Sequence, residues 1–346
     1  AMPPPRSPVD PRDLKAGHMV SGRNGYYDSQ NIVAVRGADG VSVEYSVVLH
    51  HSHNREGGPG LRLFATRSTD RGRTWTPLAP VDDDSRQSHD GYQLVHRRAD
   101  GSERILVFYG WNHGSQYPPG APADLTEVKR TDMQLDEGYW FRISDDDGRS
   151  WGQRRWLVPV RRTTIDRDNP WAGSTMGMFL CDKPQVIDGA VYMAFQKTVD
   201  GAGETPHSEA FILRGSGLVE AVRSRNDSAL DDIEWTTLPD GDRGLQSPIG
   251  PLQLGEEPHV LEVGTSPGRL LMLWRTDGGY LAGAYTSDGG HRFEPSAALP
   301  LRNPRGSITP FRLRQPTADG HFIHVMLTYN NARTDRLGYV GRRGYW

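Results

Sequence analysis

A glutamate and an arginine stand at the two ends of one predicted hairpin. Glu257 precedes the segment Pro-His-Val-Leu at 258–261, and Arg275 directly follows the apolar run 270–274, which comes after a turn. Because the two ends of a hairpin lie side by side, these side chains are expected to meet. An arginine presents a planar fork of N–H donors that fits a carboxylate. The pair therefore predicts either a binding site for an anionic ligand or a structural ion pair.

A second predicted hairpin carries a histidine at each end. His89 lies in the segment Ser-His-Asp-Gly-Tyr at 88–92, and His113 follows the apolar run 105–109 after Asn112. A neutral histidine is a natural general base near pH 7, and a nearby Arg or Lys can neutralise a carboxylate and so acidify a proton on the adjacent carbon. These residues predict proton abstraction by His89 or His113, or else simple hydrogen bonding at the strand ends.

Three more histidines, His50, His51 and His53, lie close together. With Asp90 they could in principle bind Zn²⁺, which takes four ligands. Side chains so closely spaced on a glycine-rich loop rarely point at one centre. We therefore expect no metal and no cofactor, and we expect His51 to serve in acid or base chemistry.

A repeat of short strands must position these residues. Each unit has a short apolar strand, a turn and a longer apolar strand. They lie at 32–35, 39–40 and 43–49; at 92–96, 100–101 and 105–109; at 185–187, 188–189 and 191–195; at 259–263, 267–268 and 270–274; and at 309–313, 319–320 and 322–329. Asp-Gly between apolar runs favours a hairpin, and no long segment has a helical period. Units of this size, with four strands each, predict the blades of an all-β propeller.

A second repeat runs in phase with the first. The segments 68–75 and 144–151 share the pattern S-x-D-x-G-x-[S/T]-W, and 286–293 is a weaker copy. A hydroxyl and an Asp that bond turn amides, with Gly at positive φ, predict a tight turn closed by the aromatic residue. Trp75, Trp151 and Phe293 should then take equivalent outer-strand positions, and Trp235 marks a degenerate fourth copy.

This turn pattern resembles the Asp box, or BNR repeat, of sialidases and related β-propellers. The resemblance implies six blades, of which five are visible, at about 28–80, 88–160, 180–240, 256–300 and 305–346. Residues 1–27 are expected to be an N-terminal extension that supplies a closing strand. Otherwise the last blade lacks its outer strand near Trp346. In both cases residues 28–346 form a single propeller domain.

The resemblance also covers Glu257 and Arg275. In sialidases a glutamate opens a strand of the fourth blade, an arginine ends the next strand, and another arginine follows in the fifth blade, which Arg333 matches loosely. There the arginines bind the substrate carboxylate and the glutamate polarises a tyrosine nucleophile. This chain has no arginine near Ser29 or Gln30, where the family has its first one. The paired histidines resemble instead those of propeller polysaccharide lyases.

Blade topology brings further polar residues to the same face. In each blade the inner strand starts, and the second strand ends, at the face where propellers bind ligands, and the repeated turns lie on the opposite face. The residues at these positions are Asp28, Gln30, Asn31, His50, His51, His89, Asp90, Asn112, His113, Asp182, Lys183, Gln196, Lys197, Glu257, Arg275, Asn303, Arg305, Asn330, Asn331 and Arg333. The expected substrate-binding residues are Arg275, Arg333, Arg305, Lys183, Lys197, Asp90, Asn112 and Asn331.

The composition excludes several classes of protein. The 40 basic and 43 acidic residues give a formal net charge of −3, without the basic excess of a nucleic-acid-binding protein. No run approaches the roughly 18 apolar residues of a membrane span. The single cysteine, Cys181, excludes an internal disulfide framework and a Cys-rich metal site.

The leading prediction is a secreted or periplasmic, carbohydrate-active propeller. It would be a sialidase-like glycoside hydrolase that cleaves a bond next to an acidic sugar in an oligo- or polysaccharide. Glu257, with His51, His89 or His113, would supply the catalytic groups. A histidine-based polysaccharide lyase and a non-catalytic glycan-binding propeller are the two alternatives.

Overall fold

Five antiparallel sheets follow one another along the chain. The computed structural model describes residues 20, 25–37, 40, 42–52, 61–82, 87–98, 100–112, 134–169, 173–199, 207–224, 227–264, 268–303, 305–316 and 322–328, and every structural statement below refers to these. The first sheet holds β1 (Tyr26–Arg36), β2 (Val43–Ser52), β3 (Arg62–Ser68) and β4 (Ala79–Pro80) in that order. Consecutive strands are neighbours in space, as in a propeller blade.

The next four sheets repeat this up-and-down order with variations. The second contains β5 (Gln87–Arg97), β6 (Glu103–Asn112), β8 (Gly138–Ser144) and β9 (Trp156–Pro159). The third contains β7 (Gln134–Leu135), β10 (Met176–Leu180), β11 (Gln185–Ile187), β12 (Ala190–Thr198), β13 (Ser208–Ser216) and β14 (Glu234–Leu238). The fourth contains β15 (Glu256–Glu262), β16 (Leu270–Arg275), β17 (Tyr280–Thr286) and β18 (Ala297–Arg302), and the described part of the fifth contains β19 (Ile308–Pro316) and β20 (Phe322–Thr328).

Helical structure is confined to short connections. These are α1 (Thr164–Arg167), α2 (Leu218–Arg223) and a 3₁₀ turn at Asp227–Leu230. None of the helices in the described ranges is long and apolar enough to cross a bilayer. The prediction of an all-β chain is confirmed.

The hydrophobic core lies between neighbouring sheets. Val48 and Leu63 of the first sheet pack against Val107 and Tyr109 of the second. Three further clusters fill the spaces between the later sheets. Phe108, Phe141, Met178 and Phe195 lie between the second and third sheets, and Ala194, Ile212, Val260 and Trp274 between the third and fourth. Leu261, Leu273 and Ile308 lie between the fourth and fifth. Face-to-face packing of successive sheets is how propeller blades bury their apolar side chains.

The repeated turns form the hydrogen bonds that their sequence predicts. In the first, the Asp70 carboxylate accepts the Thr74 N–H at 2.9 Å, and the Ser68 hydroxyl accepts the Gly72 N–H at 2.7 Å. Gly72 has a φ of +82°. Asp146 and Asp288 accept from Ser150 and Arg292 in the same way, at 2.9 and 3.0 Å. The aromatic residues Trp75, Trp151 and Phe293 all precede the outermost strand rather than lying in it, whereas Trp235 lies within β14.

An irregularity recurs in the first strand of three sheets. The register shifts between Asp28 and Asn31 in β1, between His89 and Tyr92 in β5, and between Glu256 and His259 in β15. The first residue of each bulge, Ser29, Asp90 or Glu257, has a positive φ of +48°, +56° or +44°. Such bulges re-aim side chains and are frequent beside functional sites.

Three polar side chains, from β1, from β5 and from the interruption between β10 and β11, bind the backbone of the next sheet. We call Asn31, Asp90 and Asp182 the inner-strand acceptors. Their oxygens accept the N–H groups of Gln93 at 3.0 Å, Leu180 at 3.1 Å and Val260 at 3.1 Å, respectively. Neighbouring blades are thus joined by hydrogen bonds as well as by apolar packing.

Two strand bounds differ from the approximate blade bounds given above. β10 begins at Met176, and Asp182 and Lys183 lie in the interruption between β10 and β11, not at a strand start. This interruption exists because the Asp182 carboxylate takes the Ala194 N–H at 3.2 Å in place of a strand partner. The first strand begins at Tyr26, inside the expected extension. The predicted open edge at 336–346 lies outside the described residues.

Candidate functional site

The start of each first strand lies beside the end of the second strand. Tyr26 is opposite Ser52, Gln87 is opposite Asn112, and Glu256 is opposite Arg275. The repeated turns follow the other end of the sheets, since Ser68 pairs with Tyr45 and Thr286 with Leu270. The predicted sidedness is therefore present in the strand register.

Two arginines from successive sheets share one buried glutamate. Glu256 is 6% exposed, and its two oxygens accept from Nη2 and Nε of Arg305 at 2.5 and 2.9 Å. Nε of Arg275 lies 3.1 Å from the same carboxylate, and Nη1 of Arg275 donates to the Arg305 carbonyl at 3.2 Å. Burial alone would raise the pKa of Glu256, but the two arginines outweigh it and hold that pKa below its usual value. Glu256 is an anion that fixes both guanidinium groups.

Glu257 is held differently from its neighbour. Its N–H donates to Oε1 of Gln196 at 2.6 Å, which anchors the bulge to the third sheet. Its carboxylate lies 3.0 Å from Nη2 of Arg275 and accepts the Ser307 hydroxyl at 2.8 Å. The Glu257 side chain is 28% exposed, against 9% for that of Glu256. Glu257 is therefore the carboxylate of this pair that a ligand can reach.

Tyr92 lies in β5 of the second sheet, and ionisable groups of other sheets influence the pKa of its hydroxyl. Its ring packs against the cluster between the second and third sheets, and the residue is partly exposed. Burial raises the pKa of the Tyr92 hydroxyl well above its usual value, and the ionisable groups of Cys181, Asp90, Glu257 and Asp28 raise it further. These groups stand on, or directly beside, strands of four different sheets.

Cys181 lies in the same group of residues. Burial raises the pKa of its thiol well above the usual value, and Glu257 and Asp90 act in the same direction, while Arg275 opposes them. The thiol therefore stays protonated and is a poor nucleophile. We call Tyr92, Cys181, Glu256, Glu257, Arg275 and Arg305 the candidate site.

The side chains of the histidines in the first and second sheets are mostly buried or in contact with other residues of the protein. His89 is 1% exposed, and its Nδ1 lies 2.9 Å from Oδ2 of Asp90. His50 is 4% exposed, and burial, followed by the charge of His89, lowers its pKa to about 3. His51 is half-buried, stacks on Tyr27 with ring centroids 4.5 Å apart, and holds its Nδ1 3.2 Å from the Tyr26 carbonyl. Of the three, His51 is the one with an accessible side chain.

The two predicted lysines have different surroundings. Lys197 is fully buried in an ion pair with Asp166, and its Nζ also donates to the Arg161 carbonyl at 2.6 Å. Burial lowers the pKa of Lys197, and Asp166 opposes that effect. Lys183 is exposed, and its Nζ donates to the Ile32 carbonyl at 2.9 Å, so it links the third sheet to the first. The geometry leaves Lys183, and not Lys197, within reach of a ligand.

Other predicted residues are occupied or lie outside the described ranges. Asp90 is 5% exposed and serves as an inner-strand acceptor. Asn112 is described only through its backbone pairing with Gln87. The remaining predicted site residues, His113, Asn331 and Arg333, lie outside the described residues. Their roles stay predictions.

Sequence reasoning missed Glu256, Ser307, Tyr92 and Cys181. Glu256 stands next to Glu257, and the sequence alone does not show which of two adjacent carboxylates faces Arg275. Ser307 contributes a hydroxyl from the segment before β19. Tyr92 was visible in the Ser-His-Asp-Gly-Tyr segment, where the Asp-Gly pair is a bulge signal. Within the described residues no group of three His, Cys, Asp or Glu side chains could hold a metal ion.

Solved structures of similar shape are known. A protein of unknown function from Dyadobacter fermentans aligns over 90% of this chain and 81% of its own, with a TM-score of 0.52 and 14% identity. The Hadza microbial sialidase Hz136 aligns over 87% of this chain with a TM-score of 0.54 and 17% identity, and Trypanosoma rangeli sialidase bound to the inhibitor DANA aligns over 88% with 0.51 and 15%.

The similarity to these solved structures is a similarity of fold. The alignments cover 52% and 44% of the two sialidase chains, so this chain corresponds to about half of each. No protein-family model matches the sequence, and no curated protein matches it. The chain has the β-propeller fold of the sialidases, at an identity too low to carry their activity over.

Proposed function

We propose that this propeller cleaves a glycosidic bond next to an acidic sugar, and that the candidate site does the work. The supporting observation is that Arg275 and Arg305, from neighbouring blades, share the buried Glu256, while the reachable carboxylate of Glu257 also contacts Arg275. Two fixed guanidinium groups suit the carboxylate of a sugar acid, and a carboxylate beside them suits proton transfer or the polarisation of a nucleophile. An extracytoplasmic location and an acidic oligo- or polysaccharide substrate belong to the same proposal.

One observation favours a second candidate, a non-catalytic glycan-binding propeller. Each nitrogen of Arg275 already lies near a protein oxygen, on Glu256, Glu257 or the Arg305 carbonyl. A sugar carboxylate must therefore compete with Glu257 for Arg275. The lyase alternative is less well supported, because His89 is buried and bonded to Asp90.

Arg275→Lys tests the anion-binding role. The lysine keeps the charge but loses the fork, so binding of an acidic glycan should weaken by about 1.5–3 kcal/mol while the fold survives. The measurement is calorimetric titration with sialyllactose and with glucuronic acid oligosaccharides. Arg269→Lys is the matched control, because Arg269 is exposed near the other end of the same hairpin. Equal binding by the Arg275 variant and the parent would make Arg275 a structural residue.

The thiol of Cys181 reports where a ligand binds. It is the only cysteine in the chain, and Arg275 and Glu257 lie close enough to influence it. An acidic glycan in the candidate site should slow its reaction with methyl methanethiosulfonate at alkaline pH. Unchanged labelling with saturating glycan would place the ligand elsewhere.

Glu257→Gln separates the enzyme from the binding protein. The amide removes the competitor for Arg275, so an acidic glycan should bind at least as tightly as it does to the parent. If Glu257 is catalytic, turnover of a glycan panel should fall by about 100-fold or more. Tighter binding with no activity in either protein would favour the non-catalytic propeller.

A further inference from the structure

The two adjacent carboxylates of the candidate site belong to one strained bulge. Glu257 has a φ of +44° and is followed by Pro258. Positive φ is unfavourable for a residue that carries a Cβ, and a proline favours an extended conformation for the residue before it. Such a backbone conformation persists only where the surrounding structure holds it. The contacts that hold the backbone of Glu257 therefore decide where its carboxylate lies.

The corresponding bulge of β1 is held by a contact within the strand. The residue before the positive-φ position there is Asp28, and its carboxylate accepts the Ser29 N–H at 2.7 Å. In β15 the residue before that position is Glu256, whose carboxylate is bound to the two arginines of the candidate site. The bulge of β15 therefore takes the acceptor for its Glu257 N–H from elsewhere.

Gln196 of the third sheet supplies this acceptor. Its Oε1 accepts the Glu257 N–H at 2.6 Å. Gln196 lies in β12, where its backbone pairs with Phe179 on one side and with Ala210 on the other, and the residue is 7% exposed. Because its strand has a neighbour on each side and its side chain is buried, the amide oxygen is held in a fixed position. The bulge of one blade is thus anchored on a rigid strand of the blade before it.

We propose that Gln196 is a positioning residue of the candidate site, which fixes the backbone of Glu257 so that its carboxylate meets Arg275. This inference rests on the proposed function and gives the third blade a part in a site whose arginines come from the next two. Because Gln196 binds the bulge backbone, Glu256 is left to hold both arginines, and the second carboxylate is left for the ligand. Without the amide oxygen, Glu257 should relax towards an extended conformation and turn its carboxylate away from Arg275.

Gln196→Met tests the proposal, with Gln185→Met as the matched control. Gln185 also joins the third sheet to β15, because its Nε2 donates to the Val260 carbonyl at 2.6 Å. Each variant removes one glutamine bond between the same two sheets, but only Gln196→Met removes it at the bulge. Both should melt a similar few degrees below the parent. Gln196→Ala removes the same oxygen without the bulk and is measured if Gln196→Met does not fold.

Crystal structures of the parent and the two variants show the position of Glu257 directly. In the parent and in Gln185→Met its carboxylate should lie within hydrogen-bond distance of Nη2 of Arg275, as it does at 3.0 Å here. In Gln196→Met this separation should exceed about 4 Å. An unchanged contact in Gln196→Met, or its loss in both variants, would overturn the proposal. The measurement needs no substrate, so it tests Gln196 even if the parent cleaves no glycan.

Kinetics show whether this position matters for the reaction. On whichever of sialyllactose and glucuronic acid oligosaccharides the parent cleaves, Gln196→Met should lower kcat by about 10- to 100-fold, because misplacing a reacting group by about 1 Å has an effect of this size. KM should not rise, since Arg275 loses the carboxylate that competes for it. Gln185→Met should keep the kcat of the parent at temperatures where it is folded, as expected of a glutamine that only joins two blades.

The outcomes separate this inference from the proposed function. Unchanged kcat in Gln196→Met, or an equal loss in Gln185→Met, would make Gln196 a residue of stability alone and would overturn the proposal. Failure of both Gln196 variants to fold, with Gln185→Met folded, would overturn it as well. A parent that cleaves no acidic glycan would refute the glycosidase function, and the crystal structures would then decide whether Gln196 positions Glu257.

Discussion

The repeated turns and the inner-strand bulges use the same backbone feature for opposite purposes. Both place a residue at positive φ, Gly72 and Gly148 in the turns, and Asp90 and Glu257 in the bulges. In the turns, every bond to the central Asp comes from within four residues. In the bulges, the carboxylates of Asp90 and Glu257 bind groups in the next sheet, 90 and 50 residues away. The turns complete themselves locally, whereas the bulges link blades and assemble the site.

This difference has a consequence for stability and function. A turn that is satisfied locally can be lost from one blade with a small effect on its neighbours. A bulge that supplies an acceptor to the next blade supports both the packing of that blade and the side chains at its end. Damage at the bulges should therefore cost more free energy of unfolding than damage at the turns.

The largest contrast is expected between Asp182→Ala, at an inner-strand acceptor that joins two blades as Asp90 does, and Asp288→Ala in a repeated turn. Asp182 is 1% exposed and accepts from Ala194, Val260 and Nδ1 of His259. Its removal leaves buried donors unpaired and should lower the free energy of unfolding by about 3–5 kcal/mol. Asp288 is exposed in a repeated turn, and its removal should cost about 1 kcal/mol. Urea denaturation of both variants measures the difference, and equal losses would contradict the comparison.

Two glycines test whether a repeated turn is ever sensitive to the next blade. Gly72 and Gly148 both have φ of +82°, so alanine at either should cost about 1–2 kcal/mol. A Cβ on Gly72 would meet only Trp75, at 3.6 Å, but a Cβ on Gly148 would lie 2.7 Å from Oγ of Ser46 in the first sheet. Gly148→Ala should therefore be less stable than Gly72→Ala by about 1–3 kcal/mol. Thermal denaturation compares them, and identical midpoints would show that the blades adjust freely there.

The buried histidine at the end of β2 should make the protein sensitive to acid. The pKa of His50 is about 3 in the folded state, below its usual 6.5, because of burial and then the charge of His89. Between those values the unfolded chain binds a proton that the folded chain does not, so stability falls as the pH falls from 6.5 towards 3. The slope from this group approaches about 1.4 kcal/mol per pH unit below pH 6.5, and the loss from pH 6.5 to 5 is about 1.6 kcal/mol. His50→Gln should flatten the curve of unfolding free energy against pH, and an unchanged slope would contradict this.

The smallest effect is expected at Lys183. Its single bond to the Ile32 carbonyl is solvent-exposed, so Lys183→Met should lower the free energy of unfolding by only about 0.5 kcal/mol. Chemical denaturation gives the value. A loss above about 2 kcal/mol would make Lys183 a structural link between blades and remove it from the predicted ligand-binding residues.

The candidate site could be predicted only in part. Glu257 and Arg275 do meet, because the hairpin spacing that separates them is a local property. Arg305 lies beside them, but its partner Glu256 did not stand out from Glu257 in the sequence. Lys197 stands at the end of a second strand as expected, yet it is buried against Asp166. The position of a residue in the repeat determines at which end of the blade its side chain lies. It does not determine whether that side chain is already bound to another residue of the protein.

The sequence by itself determined the strands, the hairpins, the repeated turns and the end of the blades that carries the polar residues. Each of these depends on contacts within a few residues, such as Asp70 with Thr74, or on the alternation of apolar side chains. Only the tertiary structure decided that Asp90 and Asp182 bind backbone in the next blade. The Asp90 carboxylate and the Leu180 N–H that it accepts are 90 residues apart in the chain. Asp90 lies in a bulge at positive φ, and the direction of its side chain depends on how the neighbouring sheet packs.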